Sequence, residues 1–373
     1  MYYYVTLTTE CNLRCRYCYG KLLDDFDSDF EDYEIDYSVP SEITYSMEQL
    51  KEFLVKDHDA TVVFYGGEPL LRINRIKEIM DEIPVKRYIL QTNAILLDRL
   101  EPEYVNKIHT VLVSIDGDEE TTDRNRGRGT YSKVVKNVKL LRERGFKGEV
   151  IARMTVNEDT EIEKQVKWLL FNEECPFTSI HWQLDALFGR NDFKRRKFAE
   201  WSERSYNPQI RSLVKFWLSH METKGEVLRL YPFLGVMESL LTGEPSKLRC
   251  GSGYAFFNIQ TDGKITPCPV MAGMKNFYLG DIADTHPSEI RKVYVSEPCT
   301  SCPIYELCGG RCLFANVTKL WGEYGFKLVC KTVENLIQTL KAVTPKVRKL
   351  IDEGRISYRG FNYPKYNSCE IIP

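Results

Sequence analysis

The chain has 373 residues, which is long enough for one large domain and a smaller one. Hydrophobic residues make up 43% and charged residues 28%, as in ordinary globular proteins, and the net charge of −2 gives no argument for a nucleic-acid partner or an anionic membrane. No run of eighteen apolar residues predicts a transmembrane helix, and the first residues lack the basic segment of a signal peptide.

Twelve cysteines are the unusual feature of the composition. Nothing in the sequence indicates export, so disulfides are not expected. The cysteines form two groups, Cys11 to Cys18 and Cys250 to Cys330, with Cys175 and Cys369 outside both. Clustering at short, uneven spacings favours metal ligation, and we therefore expect an oxygen-sensitive protein in a reducing cytoplasm.

The first cysteine group directly follows a predicted strand, residues 3–8. Cys11, Cys15 and Cys18 can bind three irons of a [4Fe–4S] cluster, which leaves the fourth iron without a protein ligand. The alternatives are chance or a zinc site, but a structural zinc ion needs four ligands, and no fourth Cys or His is close. The loop lies at the carboxyl end of the strand, where α/β barrels carry their chemistry.

The C-x₃-C-x₂-C spacing, with Tyr17 just before the third cysteine, resembles the signature of the radical S-adenosylmethionine (SAM) enzymes. The resemblance implies that the open iron chelates the amino and carboxylate groups of SAM. It also implies that an electron passed into the sulfonium releases methionine and a 5′-deoxyadenosyl radical.

Further motifs of that family follow predicted strands. The run Gly66-Gly67-Glu68-Pro69 follows residues 61–65, and the resemblance implies that it holds the amino group of SAM; a plain βα turn is the alternative. Ala94 stands where the family often has glycine after Thr-Asn. The run from Ser114 to Gly117 and the later Arg126 resemble the family's S-[IL]-D-G and R-x-R-G sequences, which implies contacts to the ribose and carboxylate of SAM, although Arg126 could instead make a surface salt bridge. The predicted SAM contacts are Tyr17, Gly66, Gly67, Glu68, Thr92, Asn93, Ser114, Asp116, Arg126, Gln183 and Leu184.

Six predicted strands alternate with helices up to residue 184, which indicates a parallel sheet with right-handed crossovers. The span is short for eight βα units, so the predicted fold is α/β, a partial (β/α)₆ TIM barrel that leaves a lateral opening for a peptide. Residues 193–220 are predicted to be helical. The predicted domains are 1–235 for the barrel, 246–345 for an iron–sulfur domain and 346–373 for a tail.

The second cysteine group frames a predicted β-hairpin, residues 258–265, with an Asp-Gly turn. The pattern resembles the SPASM domain of peptide-modifying radical SAM enzymes, whereas zinc-ribbon sites are the alternative. The resemblance implies two auxiliary [4Fe–4S] clusters, hence three clusters with the SAM-binding one. Their implied ligands are Cys299, Cys302, Cys308 and Cys330 for one, and Cys250, Cys268 and Cys312 for the other.

The sequence differs from that of the anaerobic sulfatase maturases in two respects. No fourth cysteine lies soon after Cys250. The fourth iron of this cluster is therefore either open or bound by Cys175, Cys369 or a substrate thiolate. Pro269 stands where those enzymes have the presumed base, an Asp, so formylglycine formation is doubtful and the catalytic base is unassigned.

The predicted function is hydrogen abstraction from a peptide or protein substrate, as in the maturases of ribosomally synthesised peptides, with a thioether or another crosslink as the product. The expected partners are that substrate, an electron donor of the ferredoxin or flavodoxin type, and a separate leader-binding protein or the acidic segment 24–36, which is otherwise a solvated insertion. The alternatives are a radical SAM enzyme acting on a small-molecule or cofactor precursor, a non-enzymatic iron–sulfur electron carrier, and a zinc-binding module.

Overall fold

The computed structural model describes residues 1–18, 32–174, 177–185, 192–365 and 367, so Cys175, Cys369 and most of the acidic segment lie outside the described residues. Packing divides the chain into two compact units. The first comprises Met1–Ala152, Asn172–Phe177 and Gly251–Tyr294, and the second comprises Arg153–Phe171, Thr178–Cys250 and Val295–Pro373. These units follow packing, whereas the predicted domains follow chain order. Among the described residues, no helix has the length and apolar character that a membrane span requires.

Strands and helices alternate over the first half of the chain, as predicted. The strands are β1 (Tyr2–Thr6), β2 (Thr61–Tyr65), β3 (Arg87–Thr92), β4 (Ile108–Ser114), β5 (Glu149–Val156) and β6 (Ser179–Leu184). The helices between them are α1 (Met47–Leu54), α2 (Ile73–Glu82), α3 (Pro102–Val105), α4 (Glu119–Arg126), α5 (Thr130–Glu143) and α6 (Ile162–Phe171). Local chemistry fixes the ends of these helices; at α1, for example, Ser46 and Gln49 form a reciprocal capping box.

The sheet of the first unit is parallel from β1 to β4, with each strand hydrogen-bonded to the next. Its β-branched and aromatic residues are fully buried, as in Val62, Val63 and Phe64 of β2, because a parallel sheet is covered on both faces. Polar residues that follow these strands therefore collect at one edge, which is where the predicted motifs lie.

Part of the second cysteine region extends this same sheet. Strand β7 (Phe256–Ile259) pairs in parallel with β1 and forms the predicted hairpin with β8 (Lys264–Thr266), which in turn pairs with β9 (Gly280–Asp281). The hairpin was predicted from its Asp-Gly turn, but its pairing with β1 was not. The pairing places the hairpin within the first unit.

The second unit contains β6, the end of β5 and mostly helices. The helices after β6 are α7 (Asp192–Arg195), α8 (Phe198–Trp201), α9 (Asn207–Lys224), α10 (Tyr231–Thr242), α11 (Tyr305–Cys308), α12 (Leu313–Thr318) and α13 (Gly322–Asp352). Residues 193–220 are helical as predicted except at Arg196 and Lys197, which separate α7 from α8, and the helix passes through one π-helical turn at Ser202–Tyr206. Pro208, in the first turn of α9, lacks the N–H that a continuous α-helix would need there.

Candidate active site

The two glycines after β2 permit a close backbone approach. A Cβ atom on Gly66 would lie 2.3 Å from the carbonyl oxygen of Thr8, and one on Gly67 would lie 2.2 Å from that of Glu10. The Gly67 N–H donates to the Thr8 carbonyl, and the Glu68 N–H donates to the Glu10 carbonyl, both at 2.9 Å. The glycines therefore bring the motif against the start of the cysteine loop, which the sequence alone did not indicate.

Glu68 is fully buried and connects the ends of β2 and β3. Its Oε1 accepts hydrogen bonds from the Leu70 N–H at 2.9 Å and the Thr92 hydroxyl at 2.7 Å, and its Oε2 accepts from the Asn93 N–H at 2.7 Å. Burial raises the pKa of Glu68 to about 7, although these three hydrogen bonds lower it. A carboxylate buried in this way suits an ammonium group as a further partner.

Asn93 reaches from the end of β3 to the cysteine loop. Its Nδ2 lies 2.7 Å from Oδ1 of Asn12 and 3.8 Å from Sγ of Cys11, while the Leu13 N–H donates to the same sulfur at 3.4 Å. All ten described cysteines are free thiols, and Cys11, Cys15 and Cys18 are exposed or half-buried. Burial raises the pKa of Cys11, so ligation at neutral pH requires the thiol to release a proton.

Asp116 is a buried hub just after β4. Arg126, at the end of α4, donates to it twice, with Nε 3.0 Å from Oδ2 and Nη2 2.9 Å from Oδ1. The Tyr17 hydroxyl donates to Oδ2 at 2.5 Å, and Asn125 Nδ2 lies 3.3 Å from the same oxygen. The hub therefore fixes the cysteine loop through Tyr17, next to Cys18, and leaves Nη1 of Arg126 for another partner.

The charges at this hub are compensated inside the first unit. Burial alone would lower the pKa of Arg126, but Asp116 and Tyr17 more than offset it and raise the pKa. Burial raises the pKa of Tyr17 well above its usual range, so the phenol stays neutral. The Arg126 guanidinium also stacks 5.4 Å from the centre of the Tyr17 ring and lowers the pKa of Cys15 against the larger effect of burial. Arg126 is thus buried and paired, contrary to the surface salt bridge considered above.

Ala94, at the position where a glycine was expected, has the left-handed backbone that glycine normally provides. Its φ is +61°, and its side chain is fully buried. Asn137 on α5 donates to the carbonyls of Ala94 and Ile95 at 2.8 and 3.1 Å. The turn after β3 is therefore held by a side chain from a neighbouring helix rather than by glycine.

Residues 5–167 match the family model of the radical SAM superfamily. These residues form a radical SAM domain. The predicted resemblance is confirmed, and the cofactors of such a domain are SAM and a [4Fe–4S] cluster. The protein is therefore an enzyme of the radical SAM type.

Relatives extend the similarity beyond that domain. A cysteine-type anaerobic sulfatase-maturating enzyme of Clostridium perfringens (strain 13 / Type A) is 23% identical over 357 residues, which cover 89% of this chain and 93% of the relative. The antilisterial bacteriocin subtilosin biosynthesis protein AlbA of Bacillus subtilis (strain 168) is 25% identical over 354 residues, which cover 88% of this chain and 70% of AlbA.

The solved structure of native anSMEcpe with bound AdoMet and Cp18Cys peptide has the same fold. It aligns with a TM-score of 0.69 at 20% identity and covers 93% of this chain and 99% of that chain. This similarity confirms the predicted α/β fold class of the radical SAM core.

The residues of the radical SAM domain fit its cofactors by their chemistry. Three free thiols on one loop, with N–H groups directed at the first sulfur, suit a cluster whose potential depends on such hydrogen bonds. Glu68 and Arg126 offer a buried acid for an ammonium and a guanidinium nitrogen for a carboxylate. Ser114, half-buried at the end of β4, precedes the Asp116 hub.

Two of the predicted SAM contacts belong to the second compact unit. Gln183 Oε1 accepts a hydrogen bond from Arg153 Nη2 at 2.9 Å, and Leu184 is buried at the end of β6. Arg196 forms ion pairs with Asp185, which directly follows β6, and with Glu158, which lies two residues after the end of β5. Gln183 and Leu184 remain predicted SAM contacts.

The second cysteine group is mostly in the second unit. Burial raises the pKa of Cys330 to about 12; Arg311 opposes this increase, and the thiolates of Cys308, Cys299 and Cys302 add to it, so these four sulfurs lie within electrostatic range of one another. Asn316 Nδ2 lies 3.4 Å from Sγ of Cys299. The remaining predicted ligands are Cys250 and Cys312 in the second unit and Cys268 in the first.

No three His, Cys, Asp or Glu side chains in the described part of the chain converge on one metal ion. This finding concerns mononuclear sites such as zinc. It does not test a [4Fe–4S] cluster, whose four thiolates bind four different irons and stand farther apart than the ligands of one ion.

Sequence reasoning missed several residues that shape the site. Asn12 and Asn125 occupy variable positions of the C-x₃-C-x₂-C and R-x-R-G motifs, and Asn137 lies outside any motif, so only their contacts reveal them. Arg72 was also missed; its guanidinium binds Glu42 and, at 2.9 Å, Glu10, which immediately precedes the cysteine loop. Their polar character alone gave no signal, because exposed polar residues are common.

Proposed function

We propose that this radical SAM enzyme modifies a peptide or protein, and that its second cysteine group holds two auxiliary [4Fe–4S] clusters. The observation that carries the proposal is a second set of free cysteines in a chain whose named relatives span nearly nine-tenths of it. One relative matures sulfatases by its name, and another serves subtilosin biosynthesis. Both names describe action on a polypeptide.

The first unit positions the reaction. When bound, the reduced cluster and SAM supply a 5′-deoxyadenosyl radical that removes a hydrogen atom from the substrate. Glu68 would hold the amino group of SAM, and Arg126 would hold its carboxylate. Asp116 accepts hydrogen bonds from both Tyr17 and Arg126, and so ties the cysteine loop to Arg126. Positioning and exclusion of water are the contributions of the protein itself.

The second cysteine group would accept the electron that remains after hydrogen abstraction, or bind a substrate thiolate. One cluster takes Cys299, Cys302, Cys308 and Cys330, and the other takes Cys250, Cys268 and Cys312. Because Pro269 occupies the position of the presumed base, we propose a crosslink such as a thioether rather than formylglycine as the product. An electron donor of the ferredoxin or flavodoxin type and a separate leader-binding protein complete the proposed system.

The docking role of the acidic segment is weakened at its described end. Lys275 Nζ lies 2.5 Å from Glu34, and the Tyr278 hydroxyl donates to Asp36 at 3.0 Å, so both carboxylates already have partners within the first unit. Asp24, Asp25, Asp27, Asp29 and Glu31 lie outside the described residues.

Co-expression with short cysteine-containing peptides encoded near the gene, followed by mass spectrometry, tests the proposal. A crosslink removes two hydrogen atoms from the peptide, and the same peptide co-expressed with the Cys15→Ala enzyme should keep its mass. A Cys→Ser peptide separates thioether formation from other crosslinks. Cleavage of SAM without any peptide modification would favour the small-molecule alternative.

A further inference from the structure

An arginine, Arg311, lies among the cysteines of the second unit. Arg311 separates Cys308 from Cys312 in the sequence, and Cys312, Cys330 and Cys308 all lie within electrostatic range of its guanidinium. Within the described residues, it forms no ion pair with a carboxylate, and its Nε is buried without a hydrogen-bond partner.

The surroundings hold this guanidinium in place. It stacks 4.9 Å from the centre of the Trp321 ring, so an aromatic face and not a carboxylate stabilises its charge. The backbone of Arg311 is left-handed, with φ +53°, a conformation that costs a residue with a side chain about 1 kcal/mol. A strained backbone and a buried charge together indicate that this position serves more than packing.

The two glycines that precede Arg311 allow a close approach of neighbouring segments. A Cβ atom on Gly309 would lie 1.7 Å from the carbonyl oxygen of Lys247, and one on Gly310 would lie 2.5 Å from Val295. These neighbours leave no room for a Cβ atom at the two positions after Cys308. Arg311 is therefore the first residue after Cys308 that can carry a side chain.

We propose that Arg311 raises the reduction potential of the auxiliary clusters and so makes them electron acceptors. The inference rests on the proposed function, since it requires clusters on these cysteines. A cluster gains one negative charge when it accepts one electron, and a fixed positive charge nearby stabilises the reduced form. Net charge around a cluster is one of the established determinants of its potential. Arg311 is thus a tuning residue and not a ligand.

The test uses the Cys11→Ala/Cys15→Ala/Cys18→Ala protein, in which only the auxiliary clusters remain. Iron and sulfide are counted first, and the midpoint potential is then measured by redox titration monitored by electron paramagnetic resonance. In Arg311→Gln we expect the midpoint potential to fall by ~59 mV for one electron. At a fixed potential, this change lowers the ratio of reduced to oxidised cluster about tenfold. Arg311→Lys should stay near the parent value because it retains the charge.

Arg348→Gln is the matched control. Arg348 lies in the same unit, and its guanidinium donates to the carbonyls of Leu240 and Leu241 rather than facing cysteines. The midpoint potential of the Arg348→Gln protein should equal that of the parent protein.

Each outcome decides one of the two proposals. A parent protein without iron refutes the auxiliary clusters themselves. A parent with full iron whose midpoint does not change in Arg311→Gln refutes only the role of Arg311. If Arg311→Gln loses iron, Arg311→Met, which keeps the aliphatic stem against Trp321, replaces it. Loss of iron in both neutral variants overturns tuning and assigns Arg311 to cluster assembly.

Discussion

The two cysteine regions differ in the groups that surround a nearby arginine. At the first region, Arg126 binds Asp116 through two hydrogen bonds and stacks on Tyr17. At the second, Arg311 has the Trp321 ring and the cysteines around it, but no carboxylate within the described residues. The same residue type is therefore paired with a carboxylate at one site and stacked on an aromatic ring at the other.

The difference agrees with opposite electronic tasks. A cluster that must pass an electron into a sulfonium needs a low potential, so a paired arginine, which stabilises the reduced form little, is suitable. A cluster that must accept an electron needs a higher potential, which an unpaired positive charge provides. Four variants test these differences between the two regions.

Removing the three thiols of the first cysteine region should abolish its cluster and leave the clusters of the second region in place. The Cys11→Ala/Cys15→Ala/Cys18→Ala protein should form no 5′-deoxyadenosine from SAM, because no cluster remains to bind and reduce it, yet it should keep about eight of about twelve irons. Chromatography and iron analysis check this. The reciprocal control, Cys302→Ala, should still cleave SAM; cleavage by the triple variant would disprove the assignment of the first region.

Removing the counterion of Arg126 should make the first region resemble the second. In Asp116→Asn a buried guanidinium loses its partner, and loss of one member of a buried pair costs about 3–5 kcal/mol. Thermal unfolding under anaerobic conditions measures the loss. Asp81→Asn is the control, since Asp81 binds Lys107 at the surface and such pairs contribute about 0–1 kcal/mol. Equal costs for the two variants would mean that the hub is not a buried pair.

Glu68 should make stability depend on pH in a predictable direction. Because its pKa is raised from 4.5 to about 7, the folded state keeps a proton that the unfolded state releases in this window. Its contribution to stability is full below pH 4.5 and is lost as the pH rises through 7. Relative to Glu68→Gln, the wild type should lose about 2 kcal/mol of unfolding free energy between about pH 5.5 and 8.

Parallel stability curves for the wild type and Glu68→Gln would show that Glu68 is already ionised throughout this range. In that case its three hydrogen bonds, and not its burial, would determine the protonation state.

Ala94→Gly should stabilise the first region slightly. Glycine adopts the left-handed backbone without the penalty that Ala94 pays, so we expect a gain of about 1 kcal/mol. Ala315→Gly is the matched control, because Ala315 is also buried but helical, and the same change there should cost about 1 kcal/mol. Chemical denaturation measures the unfolding free energy of both variants. A lower unfolding free energy in Ala94→Gly would mean that the packing of the Ala94 methyl group stabilises the fold by more than the left-handed backbone costs.

The local features of this protein could be predicted from its sequence. Strand positions followed from runs of β-branched residues, the hairpin followed from its Asp-Gly turn, and the chemistry of the first cysteine loop followed from the spacing of Cys11, Cys15 and Cys18. These features depend on residues close together in the chain, where short-range geometry is fixed by residue type. The motif at Gly66 was recognised by its resemblance to the corresponding sequence of the radical SAM enzymes.

Contacts between residues that are distant in the chain could not be predicted and became visible in the fold. No pattern relates β7 to β1, Asn137 to Ala94, or Tyr17 to Asp116, because each pair is joined by packing across many intervening residues. The charge state of the two arginines is the clearest example. Both appear in the sequence as arginine near cysteine or motif residues, and only the fold gives a carboxylate to Arg126 and an aromatic ring to Arg311.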